Sequence, residues 1–193
     1  VAAVACDEKS ASRLFSLGVK DCKIVSDKDV LKMKDEICSA ALAVSVLALT
    51  PKMYNYRYNQ LKAAGQNLNH LLSSGHAAAL TGVIGKCPSC GYALVDRFAV
   101  HNDITQRIHE KYPAVKVVQM PKAEADIAVA AASVLARAEF LRIMAELEAQ
   151  AGIPLPKGGS DAATNCARII AEKFGKESLA NFVKLHFANY KRI

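Results

Sequence analysis

The sequence predicts an α/β layered domain with a helical C-terminal third, and three observations carry that expectation. Short apolar runs of strand character alternate with helix-patterned segments along the first two thirds. The last third offers no strand-like run at all. The chain has 193 residues, 52% of them hydrophobic: enough for one domain with a real core, too few for two comfortable ones. A single domain over residues 1–193 is the expectation, with helices on both faces of a central sheet.

The elements follow in order. "VAAVAC" reads as a strand that is apolar from its first residue, and a helix from about Lys9 to Leu17 follows, stopped at Gly18. Ser26 is placed to cap a helix whose apolar residues Val30, Met33 and Ile37 recur at helical spacing. The apolar run Ala40 to Leu49 is too short for a membrane helix and reads as a buried strand, closed by Thr50-Pro51. "YNYRYNQLKAAG" and "NLNHLLSSGHAAALTGVIG" are helical, "KCPSCG" is a loop, and "YALVDRFAV" is a strand. A short helix from about Asp103 to Lys111 and the strand "VKVVQM" lead to a long helix ending near Gln150. "GIPLPKGGS" is the clearest loop, and two final helices are expected after it.

Composition narrows the classes. No apolar run reaches the eighteen or so residues of a membrane span, and the opening residues lack the basic n-region of a secretory signal. The six cysteines are scattered through apolar or mixed segments, which suits reduced core thiols and a cytoplasmic location. A net charge of +7 suits a polyanionic partner, although a merely basic surface explains it equally well.

Few residues suggest chemistry. Asp96 sits in a strand where Leu94, Val95, Phe98 and Val100 argue burial, and a buried aspartate needs a partner or a cation. Its plainer reading is satisfaction by Arg97 or by a backbone amide. Glu124 follows the next strand and could bring a second carboxylate to the same edge; hard divalent ions take such oxygens from converging elements. Asp126 could serve instead, but its position before a run of small apolar residues suits a helix N-cap. "CPSCG" has the spacing of half a zinc site; Cys6, Cys22, Cys38, Cys166, His76 or His101 would have to complete it, and two reduced thiols in a turn are the plainer reading. "PKGGS" lacks the order of a phosphate-binding P-loop, and no G-x-S-x-G is present.

Seven blocks together resemble the ribonuclease HIII family, the type 2 ribonuclease H group: "GVKDCKIVSDKDV", "PKMYN", "NLNHLLSSGHA", "ALVDRFA", "KAEADIAVAAASVLARAEFL", "LPKG" and "KLHFAN". They run in order across essentially the whole chain. The resemblance implies an RNase H-like fold with a central mixed β-sheet flanked by helices. It implies cleavage of the RNA strand of RNA–DNA hybrids by a metal-activated water, with two Mg2+ or Mn2+ ions held by four carboxylates. The family's third carboxylate falls on Asp96 and its fourth on Glu124, with Asp126 as the alternative. Substrate contacts would fall on Lys20, Lys23, Tyr54, Asn55 and Lys157, with Lys184 and Lys191 as further phosphate contacts. For any single lysine a solvated surface is the plainer reading, and for Tyr54 core packing. Discrimination of RNA would rest on 2′-hydroxyl contacts. A monomer is expected, with no membrane partner.

The departures from the pattern are as informative. The D-E-x-G-x-G motif that carries the family's first two carboxylates is not in this sequence, nor is the N-terminal substrate-binding domain common in the family. Cys22 replaces a serine, and Arg97 replaces the glutamine beside the third acid. Weak or absent hydrolysis by these residues alone is therefore expected; a hybrid- or duplex-binding protein without catalysis, and a subunit completed by a partner chain, are the alternatives.

Overall fold

In a computed structural model the described residues are 1–100 and 103–193, without the side chains of residues 191 and 192. His101 as a zinc ligand and the side chain of Lys191 as a phosphate contact fall outside them. The chain forms two compact units, residues 1–48 with 68–140 and residues 49–67 with 141–193.

The first unit holds all four strands among the described residues: β1 (Ala2–Ala5), β2 (Ala43–Val46), β3 (Tyr92–Asp96) and β4 (Lys116–Met120). β1 and β2 pair antiparallel, Ala2 opposite Val46; β3 and β4 pair parallel, Tyr92 opposite Lys116 and Asp96 opposite Met120. The strand layer is thus mixed, and its backbone hydrogen bonding is divided into two pairs. A parallel pair needs a long crossover, and α5 (Ile104–His109) supplies it with Ile104 and Ile108 fully buried.

The helices form where the local signals place them. Asp7 and Ser10 build a reciprocal capping box at the start of α1 (Glu8–Ser16), and Ser10 holds the Asp7 carboxyl below its usual range. Ser26 caps α2 (Asp27–Ala40), which buries Val30 and Ile37, seven residues and two turns apart. α4 (Leu68–Ile84) lies under both strand pairs. Ala79 and Val83 pack with Ala3, Ala5 and Ala43, while Ala77 and Ile84 pack with Ala93, Val95, Ile104, Ile108 and Val115. Leu80 touches both clusters. Small side chains bring backbones close: a Cβ on Gly82 would stand 2.7 Å from Ser45 Oγ. α6 (Ile127–Ala151) follows β4 and buries Ala130, Ala131, Val134, Leu135 and Ala138.

In the second unit Thr50 caps α3 (Pro51–Ala63), with proline in its favoured first-turn position. Ser160 caps α7 (Asp161–Phe174), which buries Cys166, Ala167 and Ile170 against Leu179. Gly175, at φ +84°, turns the chain out of α7 in a conformation that β-carbons disfavour.

Three expectations about elements are corrected. The run Ala40 to Leu49 is not one buried strand: α2 keeps Ala40, β2 ends at Val46, and Leu47 and Leu49 are exposed. The strand through Asp96 stops at Asp96, and Val100 is 80% exposed, because pairing with β4 ends opposite Met120. After α7 comes no second α-helix but two 3-10 turns, Lys176–Asn181 and Ala188–Arg192. Of the cysteines, all free, Cys166 alone is buried.

Candidate active site

The carboxyl ends of the parallel strands are where the sequence puts acids and where open α/β layers bind ligands. Asp96 is the last residue of β3 and is exposed, so it bears no burial penalty; the expected burial of this aspartate is corrected by the strand's end. Its Oδ1 accepts from the backbone N–H of Ala123 at 3.3 Å. Ala123 opens a single 3-10 turn, Ala123–Ala125, which follows β4 by way of Pro121 and Lys122. Lys122 has φ +57°, the only positive φ outside glycine among the described residues. A lysine so placed costs about 1 kcal/mol or more, and such strain persists where the surroundings impose it.

That turn carries Glu124 next to the amide that Asp96 binds, so both acids stand at one end of the β3–β4 pair. Glu124 is half-buried. Its Oε1 lies 3.5 Å from Lys23 Nζ, and its Oε2 is buried with no hydrogen-bond partner among the described residues. An orphaned carboxylate oxygen is costly, and a cation is one way to satisfy it. Lys23 also lies 3.6 Å from Asp21 Oδ2. Asp21 first, and Glu124 second, hold its ammonium above the usual lysine value. The Lys20–Lys23 segment is anchored by Ser133 of α6, whose Oγ accepts from the Cys22 N–H at 3.1 Å.

Asp126 does something else. Its Oδ1 accepts from the N–H groups of Ala128 (2.9 Å) and Val129 (3.3 Å), which makes it the N-cap of α6. The two carboxylates of "AEAD" are therefore divided: one caps the helix, the other has an oxygen to spare.

The remaining candidate residues are distributed as follows. Lys20 and Lys157 are exposed. Tyr54 and Asn55 are buried, 6% and 7% exposed within the second unit. The Asn55 amide donates to Ala180 O (3.0 Å) and Val183 O (2.8 Å) and accepts from Leu185 N–H (3.0 Å). Tyr54 lies under Lys184 Nζ, 4.6 Å from its ring centroid, with its hydroxyl 3.4 Å from His186 Nδ1. Cys90 Sγ points to Tyr92 O at 3.3 Å and Cys87 Sγ to Ser89 Oγ at 3.8 Å.

One neighbour of the site was named from the sequence only as a distant partner for the CPSCG cysteines, not beside Asp96. His76 of α4 stacks on Phe98, ring centroids 5.0 Å apart, and feels the charge of Asp96. Burial, with the Val1 ammonium, lowers its pKa against the opposing pull of Asp96. Its signal lay in "SSGHAAAL", a lone imidazole in a small-residue helix.

Two carboxylates with hard oxygen donors, one atom of them unpartnered, fit a divalent ion such as Mg2+ or Mn2+ in donor type. They do not complete a site: among the described residues no three acids, histidines or cysteines are grouped to hold a metal.

Comparison with known proteins bears on all of this. The chain is 36% identical to a ribonuclease HIII of Protochlamydia amoebophila over 187 residues, covering 97% of this chain and 60% of that protein. It is 32% identical to a ribonuclease HIII of Bacillus cereus over 197 residues, or 62% of that protein. The chain thus spans about three fifths of the length of these relatives. A crystal structure of Bst-RNase HIII in complex with Mn2+ superposes with a TM-score of 0.87 at 27% identity, covering 99% of this chain and 62% of that one. No helix among the described residues is long and apolar enough to cross a membrane. With the ribonuclease HII family model matching residues 1–190, the chain belongs to the ribonuclease HII family.

Proposed function

We propose that this chain carries part of the active site of a hybrid-specific ribonuclease H, with Asp96 and Glu124 as two of its metal-binding carboxylates. The observation that carries the reading is the Ala123 N–H to Asp96 bond, which ties the end of β3 to the turn holding Glu124 and its unpartnered oxygen. Mg2+ or Mn2+, when bound, would supply an activated water and stabilise charge on the leaving 3′ oxygen of the RNA strand. Asp96 and Glu124 would hold it. Lys23 would neutralise Glu124 in the metal-free state and yield to the cation. Lys20 and Lys157 would meet backbone phosphates, giving binding that weakens as salt rises. Asp126 takes no part beyond capping α6.

Binding and cleavage by the full chain Val1–Ile193 test this. The expected result is binding of an RNA–DNA hybrid in preference to duplex DNA, with slow or absent cleavage confined to the RNA strand. Whatever cleavage occurs should vanish in Asp96→Asn. Fast Mg2+-dependent cleavage would contradict the two-carboxylate account, and cleavage indifferent to Asp96→Asn would contradict the site. A non-catalytic hybrid-binding protein is the second reading, favoured by the lack of a third grouped ligand among the described residues. It predicts binding without cleavage under every metal condition.

A further inference from the structure

The turn that joins α4 to β3 lies at the end of β3 remote from Asp96; from Tyr92 to Asp96 the strand rises about 13 Å. It carries Cys87-Pro88-Ser89-Cys90-Gly91. The Cys90 N–H donates to Cys87 O at 2.9 Å, closing a four-residue turn with proline at its second position, where the fixed φ of the ring suits it. Such a turn holds its first and fourth Cα atoms within about 7 Å, so both thiols can reach one small ion. Both ends of the turn are pinned. The Cys87 N–H donates to Val83 O (3.0 Å) and Ile84 O (3.1 Å) of α4, and Gly91 O accepts from the Lys116 N–H of β4 at 2.9 Å.

Neither thiol is committed to a strong partner. Both cysteines are free and half-buried, while Pro88, Ser89 and Gly91 around them are exposed. Cys90 Sγ meets Tyr92 O at 3.3 Å and Cys87 Sγ meets Ser89 Oγ at 3.8 Å, both weak interactions for sulfur. A Cβ on Gly91 would meet nothing within 4 Å, so the approach to the turn is open. Two cysteines three positions apart on a tight turn supply half of a tetrahedral zinc centre. The other half does not come from the described residues of this chain, where no third cysteine, histidine or acid is grouped with the pair.

We propose that Cys87 and Cys90 are half of a tetrahedral zinc site whose other two thiolates come from the same turn of a second copy of this chain. One ion on a two-fold axis takes two thiolates from each copy, and the small residues of the turn let the two approach. Four thiolates around Zn2+ leave a net negative centre. Lys86 and Lys116, both exposed, flank the turn in each copy and offset it; Lys86 Nζ donates to Val44 O, and the Lys116 N–H holds Gly91. Two chains of net charge +7 repel, so the ion and not the bare surface holds the pair together. Each S–H bond gives way to an S–Zn bond, and four protons pass to solvent. Thiolates select zinc over the hard ions that suit Asp96 and Glu124, so the two sites load independently.

The test titrates the full chain, reduced with a phosphine and freed of metal, with zinc chloride, and reads stoichiometry and sedimentation velocity together. The proposal expects one zinc per two chains, with a monomer that becomes a dimer as zinc is added and reverts with EDTA. Co2+ in place of zinc should give the thiolate charge-transfer and visible absorption of a tetrahedral four-sulfur centre. Cys87→Ser and Cys90→Ser should each weaken zinc binding about a hundredfold or more and abolish the dimer, whereas Cys38→Ser, at an exposed thiol of α2, should change neither. Alkylation read by mass spectrometry on the unaltered chain keeps the test decisive where a variant fails to fold. Zinc should slow modification of Cys87 and Cys90 about tenfold or more and leave that of Cys38 unchanged. One zinc per chain without a dimer would place the remaining ligands within the chain and overturn the proposal. A dimer that forms without zinc, or zinc that protects neither cysteine, would overturn it as well.

Discussion

Two pairs of motif residues invite comparison: Asp96 with Glu124 in the first unit, and Tyr54 with Asn55 in the second. Both come from blocks of family character. Asn55 has spent its amide, with both ends hydrogen-bonded to the backbone of residues 180–185. Among the described residues Glu124 keeps a buried oxygen without a partner, and Asp96 is exposed with one long bond, from Ala123. A residue whose valences are satisfied internally holds the fold; one with a valence to spare is placed for something else. The difference lies in what the surrounding backbone offers, which a motif does not disclose.

The largest expected effect strikes the spent pair. Asn55→Ala should cost roughly 2–4 kcal/mol, because it strands two carbonyls and an amide. Denaturant unfolding measures it, and a loss below about 1 kcal/mol would remove the contrast.

A second effect concerns the rim. Burial lowers the His76 pKa, so the folded state binds fewer protons than the unfolded one between the depressed value and the usual one of about 6.5. The contribution is present above about pH 6.5 and lost as pH falls through the depressed pKa. Stability should therefore decline on acidification below neutrality, and His76→Gln should flatten that slope in unfolding curves taken from pH 7.5 to 5. An unchanged slope would show His76 to be solvated.

Asp126→Ala should cost about 1 kcal/mol of stability, the usual worth of an N-cap, with Mn2+ affinity unchanged. A loss of metal binding there would move the site from Glu124 to Asp126. The smallest effect is at Lys23: Lys23→Met frees Glu124 of a competing cation and should tighten Mn2+ binding by no more than about threefold, since the lysine is solvated and screened.

Much of this was legible in the sequence, and the rest failed for physical reasons. The adjacency of Asp96 and Glu124 followed from two apolar runs in succession, which tend to pair as neighbours. The split of "AEAD" into a helix cap and a free acid was open until the backbone fixed which side chain met the amides of Ala128 and Val129. Burial of Tyr54 and Asn55 depended on residues more than a hundred positions away, beyond any local pattern. The break of the strand layer into two pairs has no local signal either, because "VAAVAC" reads as strand whether or not its second edge is filled.

A Mn2+ titration of Val1–Ile193 by electron paramagnetic resonance, run beside Asp96→Asn, Glu124→Gln and Asp126→Asn, tests the central claim most directly. The account predicts weak binding that falls about tenfold or more in each of the first two variants and is unchanged in the third. Binding that survives both Asp96→Asn and Glu124→Gln would contradict it.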